Sequence, residues 1–284
     1  MESNNRNKFI IGLLAGAAIG GFAFYYFFSG KVPRKASYSK KKIDLSTISS
    51  PHSPFLFIRD RTYFEMIGRL KPSVDAEKHA GKFTKGTLLT ISKTIFHLLK
   101  SEFLKNYTEC RELRRKCMTN IPDYATEYSK GVRRGEQIVE EATSEVLRDL
   151  HLDPVMYERE SVRISNEDAN FQLYGIFMLE SLKSQLPSKP SGKINKETLI
   201  EYYNYQLSIY NKYKFSELID YSAESFMMCK QNHLSDLAAI KFEIEEEDLI
   251  RNQVLMNEPE IIELHRELQS RFFDEKQNFI SFPY

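Results

Sequence analysis

Residues 84–117 read TKGTLLTISKTIFHLLKSEFLKNYTECRELRRKC. Within them Leu88, Ile91, Ile95, Leu98, Leu99, Phe103, Tyr107, Cys110, Leu113 and Cys117 recur at threes and fours, the repeat of one helix face. At about 1.5 Å per residue this is a helix roughly 50 Å long. Its far end is basic, with Arg111, Arg114, Arg115 and Lys116.

The same period continues on both sides. Phe55 to Leu70 mixes apolar and charged residues as a short helix that Pro72 closes. A helix is expected from about Tyr124 to Leu150, and Asp153-Pro154 has the form of a cap followed by a first-turn proline. Ser165 with Asp168 matches a capping box and opens a helix carrying Phe171, Tyr174, Phe177, Met178, Leu182 and Leu186. Pro187 to Gly192 breaks the chain. Helices then follow over about 196–214, 216–232, 235–257 and 259–273. The tail Phe279-Ile280-Ser281-Phe282-Pro283-Tyr284 is short and apolar, suited to docking on the domain or on a partner. No run of alternating strands and no Asn-Gly or Asp-Gly hairpin turn occurs. The expected fold is all-α, a single N-terminal transmembrane helix followed by a soluble domain of seven to nine helices.

The transmembrane helix is read from Phe9 to Phe28, twenty residues without a charge. Such a helix spans about 30 Å, the thickness of a bilayer's hydrocarbon core. A cleaved signal peptide would have a shorter apolar run and a small-x-small cleavage site at its end, whereas this run ends in Phe24-Tyr25-Tyr26-Phe27-Phe28. A mitochondrial presequence would be amphipathic and Arg-rich. The segment therefore reads as an uncleaved anchor. Gly12, Gly16 and Gly20 form one ridge on it, small-xxx-small spacing that lets another transmembrane helix approach closely. Beyond it lie Lys31, Arg34, Lys35, Lys40, Lys41 and Lys42, with no acid before Asp44. By the positive-inside bias this cluster puts the C-terminal domain on the cytosolic or matrix side, and it can meet anionic membrane lipid. Residues 1–8 are then a short tail, 9–28 the anchor, 29–54 a basic Ser/Pro-rich linker and 55–284 the helical domain, with a possible subdivision near 187–193.

The chain has 284 residues and a formal net charge of +1. That near-zero total hides a split. Residues 1–120 carry 22 Lys and Arg against 9 Asp and Glu, and the rest carry 18 against 30. The composition, 42% hydrophobic and 28% charged, excludes a disordered or collagen-like chain and a polytopic transporter. The three cysteines, Cys110, Cys117 and Cys229, are too few for a disulfide framework and fit a reducing compartment. Cys110 and Cys117 fall on the apolar stripe, as core residues do.

No motif carries catalysis, and no cofactor or metal is expected. The histidines, His52, His79, His97, His151, His233 and His265, form neither H-x-x-x-H nor E-x-x-H. Glu136, Glu140, Glu141 and Glu145 read as a solvated acidic face. Residues 81–87, GKFTKGT, lack the lysine directly after the second glycine that a phosphate loop requires. Asn106-Tyr107-Thr108 is a glycosylation sequon, expected unmodified on an amphipathic helix outside the lumen. Arg111, Arg114, Arg115 and Lys116, with Arg133 and Arg134, form either a solvated helix face or a patch for lipid headgroups or an acidic protein. Nucleic acid is not expected. The acidic run Glu243, Glu245, Glu246, Glu247 and Asp248 reads likewise as wet surface or as a docking face for a basic partner.

Two segments resemble known units. Pro187-Ser188-Lys189-Pro190-Ser191-Gly192-Lys193-Ile194-Asn195-Lys196-Glu197-Thr198 resembles an EF-hand loop, with Gly192 at its sixth position and Ile194 at its eighth. Pro187, Lys189, Ser191 and Thr198 stand where oxygen ligands belong, so the resemblance implies a helix-loop-helix without its ion. Tyr213, Ser222, Phe226 and Cys229 are spaced like the aromatic and small positions of a tetratricopeptide helix pair, in one copy with no second at the 34-residue period.

The function these features suggest is a membrane-anchored helical scaffold, an accessory structural subunit of a multiprotein membrane complex. One alternative is a signal-anchored receptor or tether that recruits a protein partner through its soluble domain, with the acidic distal half as docking surface. The other is a membrane-associated helical enzyme of unrecognised type. A mitochondrial membrane is the expected location.

Overall fold

The computed structural model describes residues 55–187, 194–213 and 223–281. The described part is all-α, with ten helices and no strand. In chain order these are α1 Arg61–His79, α2 Lys85–Arg115, α3 Ile121–Asp149, α4 Pro154–Glu167, α5 Ala169–Lys183, α6 Lys196–Ile209, α7 Ala223–Phe242, α8 Glu246–Arg251, α9 Gln253–Met256 and α10 Pro259–Ser281. None of them is long and apolar enough to cross a membrane. The expected span 9–28 and the linker 29–54 lie outside the described residues.

The described chain forms two compact units. The first contains residues 55–105 and 134–175. The second contains 106–133 and 176–281.

In the first unit, Asp60 caps α1 by accepting the Tyr63 N–H at 2.8 Å. Pro72 does not close this helix but lies inside it. Pro72 sits on the exposed side, and the continuing helix buries Val74 completely. The extension also positions Glu77, whose carboxylate accepts the Thr84 N–H at 2.7 Å and the Thr87 hydroxyl at 2.8 Å. Burial and these bonds offset the lost proline N–H. Gly81, at φ +70, makes the left-handed turn between α1 and α2. The apolar stripe of α2 faces the core as its spacing requires: Leu88, Ile91, Ile95, Leu98, Leu99 and Phe103 are all buried.

Asp153 caps α4 with Pro154 in its first turn, as expected. The expected capping box at Ser165 is not formed. Ser165 is buried within α4, which runs to Glu167, and Asp168 alone caps α5 by accepting the Asn170 N–H at 2.9 Å. Carrying the helix through Ser165 buries Ile164 on the core side.

The second unit is built on α6, α7 and α10, which pack on one another. Its core is rich in tyrosine: Tyr107, Tyr124, Tyr128, Tyr202, Tyr203 and Tyr210 pack with Leu199, Cys229, Leu234, Ile261, Leu268 and Phe272. Edge-to-face rings recur, with Tyr202–Tyr203 at 5.4 Å, Tyr203–His265 at 5.5 Å and Tyr210–Phe272 at 5.1 Å between centroids. Asn195 caps α6 by accepting the Thr198 N–H at 2.8 Å. Residues 188–193 of the EF-hand-like stretch lie outside the described residues, as does Ser222 of the tetratricopeptide-like spacing.

The break expected between 232 and 235 does not exist. α7 runs unbroken to Phe242, and the chain turns at Glu243, with φ +57. Asn232, His233 and Asp236 look like loop residues in sequence because they are polar, but all three are buried in this helix. A helix enclosed on most sides has no polar face to announce it.

Candidate functional site

The last turns of α2 present Tyr107, Arg111, Arg114 and Arg115, spaced so that they share a helix face. That face does not meet solvent. Arg111 donates through Nη1 to Glu247 Oε2 at 2.8 Å and to Glu245 Oε2 at 3.3 Å. Arg114 grips Asp236 with two groups, Nε to Oδ2 at 2.6 Å and Nη2 to Oδ1 at 3.2 Å. Arg115 bridges two acids, donating to Asp236 at 2.9 Å and to both oxygens of Glu245 at 2.8 and 2.7 Å. The Tyr124 hydroxyl adds a third donor to Asp236 at 2.7 Å.

The basic run and the acidic run, expected as solvated faces or separate docking patches, are therefore partners of each other. Arg114 is 3% exposed, and Glu245, Glu247 and Asp248 are buried as well. The physical reason is the turn at Glu243, which folds the acidic run back beside α2, where Arg114 and Arg115 each meet a carboxylate in two-pronged geometry and Arg111 donates through a single nitrogen. Of the basic residues in that group, Lys116 and Arg133 remain exposed.

The network extends through Glu246, which accepts the Tyr107 hydroxyl at 2.8 Å and the Lys183 ammonium at 2.8 Å. Lys183 is completely buried, and its ammonium lies 5.0 Å from the centre of the Tyr107 ring. Sequence reading missed Lys183 and Asp236, since a lone Lys in an apolar helix and a lone Asp in a polar stretch carry no local signal.

The charges tune one another. Burial pushes the Asp236 carboxyl up, but Arg114, Arg115 and the Tyr124 hydroxyl outweigh it and hold that carboxyl below its ordinary range. Glu245 is lowered for the same reason, with Arg115 and Arg111 overcoming burial. Glu180 goes the other way. Burial lifts it to about 7, opposed by Lys183 and helped by Glu246. Burial drives His265 down to about 4, so its imidazole is neutral at neutral pH. The Cys229 thiol is pushed up to about 12 by burial and stays protonated, which removes it as a nucleophile.

A cavity opens beside this network, within the second unit. Its volume is about 60 Å³, room for more than one water. The three arginines, Asp236, Glu245 and Glu246 form its charged side, and apolar side chains such as Leu249 and Leu268 also line it.

The other candidate residues are placed as follows. Gly12, Gly16 and Gly20 lie outside the described residues, as do Lys31, Arg34, Lys35, Lys40, Lys41 and Lys42. Asn106 of the sequon is 1% exposed, and its amide donates to the Gly131 carbonyl at 3.2 Å, so the folded chain cannot present it for glycosylation. Cys110 is buried and Cys117 half-buried against the core. Leu113 departs from the stripe at 45% exposure, two residues before α2 ends. Of the expected acidic face, Glu136 and Glu140 are exposed, whereas Glu141 and Glu145 are half-buried and Glu145 is paired with Arg59 and Arg148. Among the described residues no group of three or more His, Cys, Asp or Glu could hold a metal ion.

No family model matches the chain, and no curated protein or solved structure matches it either.

Proposed function

We propose that the protein is a membrane-anchored helical scaffold, an accessory structural subunit of a multiprotein membrane complex. Residues 9–28 cross the membrane, and the ridge of Gly12, Gly16 and Gly20 packs against another transmembrane helix. The basic cluster from Lys31 to Lys42 lies at the lipid headgroups and fixes the helical units on the cytosolic or matrix side. A mitochondrial membrane is the proposed location.

The observation that carries this reading is the mutual neutralisation of the basic and acidic runs. A receptor that docks partners by charge would display these runs. Here Arg111, Arg114 and Arg115 are held by Asp236, Glu245 and Glu247, up to 136 residues away in the chain. Such a network adds little net stability, because desolvation offsets most of the attraction. It does fix helix geometry, which is what a structural subunit requires of its fold.

The test is the size at which the full-length protein migrates after extraction from its native membrane in mild detergent. A sharp, high-mass species of fixed composition is expected, and Gly16→Leu should weaken its assembly. Migration as a monomer or dimer would overturn the proposal and favour a receptor or tether.

A further inference from the structure

Residues 55–60 lead into α1, and their exposure alternates. Phe55 is buried and Phe57 half-buried, with ring centroids 6.1 Å apart, while Leu56 is 83% exposed and Ile58 62%. Side chains of an extended backbone alternate in this way. The orientation is pinned within the first unit. The Arg59 guanidinium pairs with Glu145 of α3 and, at 3.5 Å, with Asp149. The fully buried Tyr63 donates its hydroxyl to the same Asp149 at 2.7 Å. With Phe55, Arg59 and Tyr63 held inward, Leu56 and Ile58 are left facing out.

α1 continues this face. Its outward side, opposite the buried Tyr63, Leu70 and Val74, carries Arg61, Phe64, Glu65, Arg69 and Pro72. Phe64 is 57% exposed. Arg61 and Arg69 are both exposed and flank the single carboxylate of Glu65, so these three leave a positive charge. One exposed apolar side chain is ordinary on a protein surface. Leu56, Ile58 and Phe64, on one short stretch pinned by buried neighbours, mark a contact face.

Chain connectivity says what covers it. Phe55 is joined to the apolar run 9–28 through residues 29–54, a link that reaches no more than about 90 Å even when fully extended. That link carries the basic cluster from Lys31 to Lys42. On the reading that residues 9–28 span the membrane, on which this inference rests, the face is tethered beside a lipid surface at high effective concentration. Leu, Ile and Phe beside arginines suit the boundary between headgroups and acyl chains, the apolar tips inserted and the guanidiniums at the phosphates. We propose that the first unit docks on the bilayer itself through Leu56, Ile58 and Phe64, with Arg61 and Arg69 at anionic headgroups.

The test uses the full-length protein in vesicles of phosphatidylcholine and phosphatidylserine. Cys117→Ser removes the half-buried thiol, and Cys110 and Cys229 are buried. An environment-sensitive fluorophore is attached in turn at Leu56→Cys and Phe64→Cys, exposed positions where substitution leaves the fold intact. Both labels are expected to emit to the blue, to be shielded from iodide and to be quenched by nitroxide-bearing lipid. Leu56→Ser with Ile58→Ser, read by the label at 64, lowers the ratio of docked to undocked protein at least about tenfold, since half the transfer of two such side chains is worth that factor. Alkaline extraction separates the two claims. Protein that resists alkali but keeps its labels open to iodide and unquenched by lipid overturns the docking alone. Protein that alkali releases from the vesicles overturns the anchor, and the docking with it. Labels shielded from iodide yet unreached by the lipid nitroxide mean that a protein covers the face, and overturn the proposal. So does a label at 64 that the paired serine substitutions do not move.

Discussion

Gly131 sits where α2 and α3 meet within the second unit. A Cβ added there would lie 2.8 Å from both Cβ and Sγ of Cys110, closer than non-bonded carbons approach. Neither neighbour is the end of a long, flexible side chain, so the backbones would have to part. Gly131→Ala is expected to destabilise the protein by about 1–3 kcal/mol in denaturant unfolding, despite alanine's better helix propensity. A neutral or stabilising result would mean that the two helices are not so close. Glu180 gives a prediction of different sign. Folded, it holds its proton up to about pH 7, while the unfolded chain releases it near 4.5. Between those values the unfolded state binds fewer protons, so this group's contribution makes stability fall as pH rises and then level off. Glu180→Gln should therefore match the wild type at pH 4 and exceed it by about 1–3 kcal/mol at pH 8. His265 works in the opposite sense between 6.5 and about 4, but it is common to both proteins and cancels in the comparison. Neither Gly131 nor Glu180 was legible in the sequence. A glycine inside a helical pattern does not say what approaches it, and a carboxylate does not say whether water reaches it.

Helices were legible wherever one face was wet and the other buried. The stripe of α2 and the Asp153-Pro154 start of α4 are of this kind, with periodicity or cap chemistry written locally. Local sequence carries no such signal where burial is nearly complete or where tertiary contacts override it. Pro72 is tolerated because Val74 and Glu77 beyond it are needed by the core and by the turn into α2. The sequence suggests a break in α7 because its buried Asn232, His233 and Asp236 are polar. Its true end is the left-handed turn at Glu243, an exposed residue with φ +57. A side chain there strains the backbone, and glycine relieves it. Glu243→Gly should raise stability by about 0.5–1 kcal/mol, measured as a shift in Tm, while the same change at exposed Ile240, inside α7, should lower it. Loss of stability at Glu243 would argue that the turn is not where α7 ends.

Over the whole molecule, the opposed charges of the two halves of the chain were plain from composition, but their meeting place was not. Partners more than 120 residues apart, such as Arg114 and Asp236, leave no periodic trace. What could be seen was a basic run and an acidic run of similar length, and their pairing follows only once α7 turns back at Glu243. The all-α class was therefore readable, while the candidate site was readable only as two unconnected halves. The claim that the basic run is internal can be tested directly. The folded full-length protein would be treated with an arginine-specific dicarbonyl reagent, and the rate of modification at each arginine followed by mass spectrometry. Arg61, whose side chain is 93% exposed, and the exposed Arg133 should react quickly, while Arg114, with its side chain 4% exposed, should react only as the protein unfolds. Modification of Arg114 at the rate of Arg61 would contradict the buried network and return the basic run to the surface as a docking site.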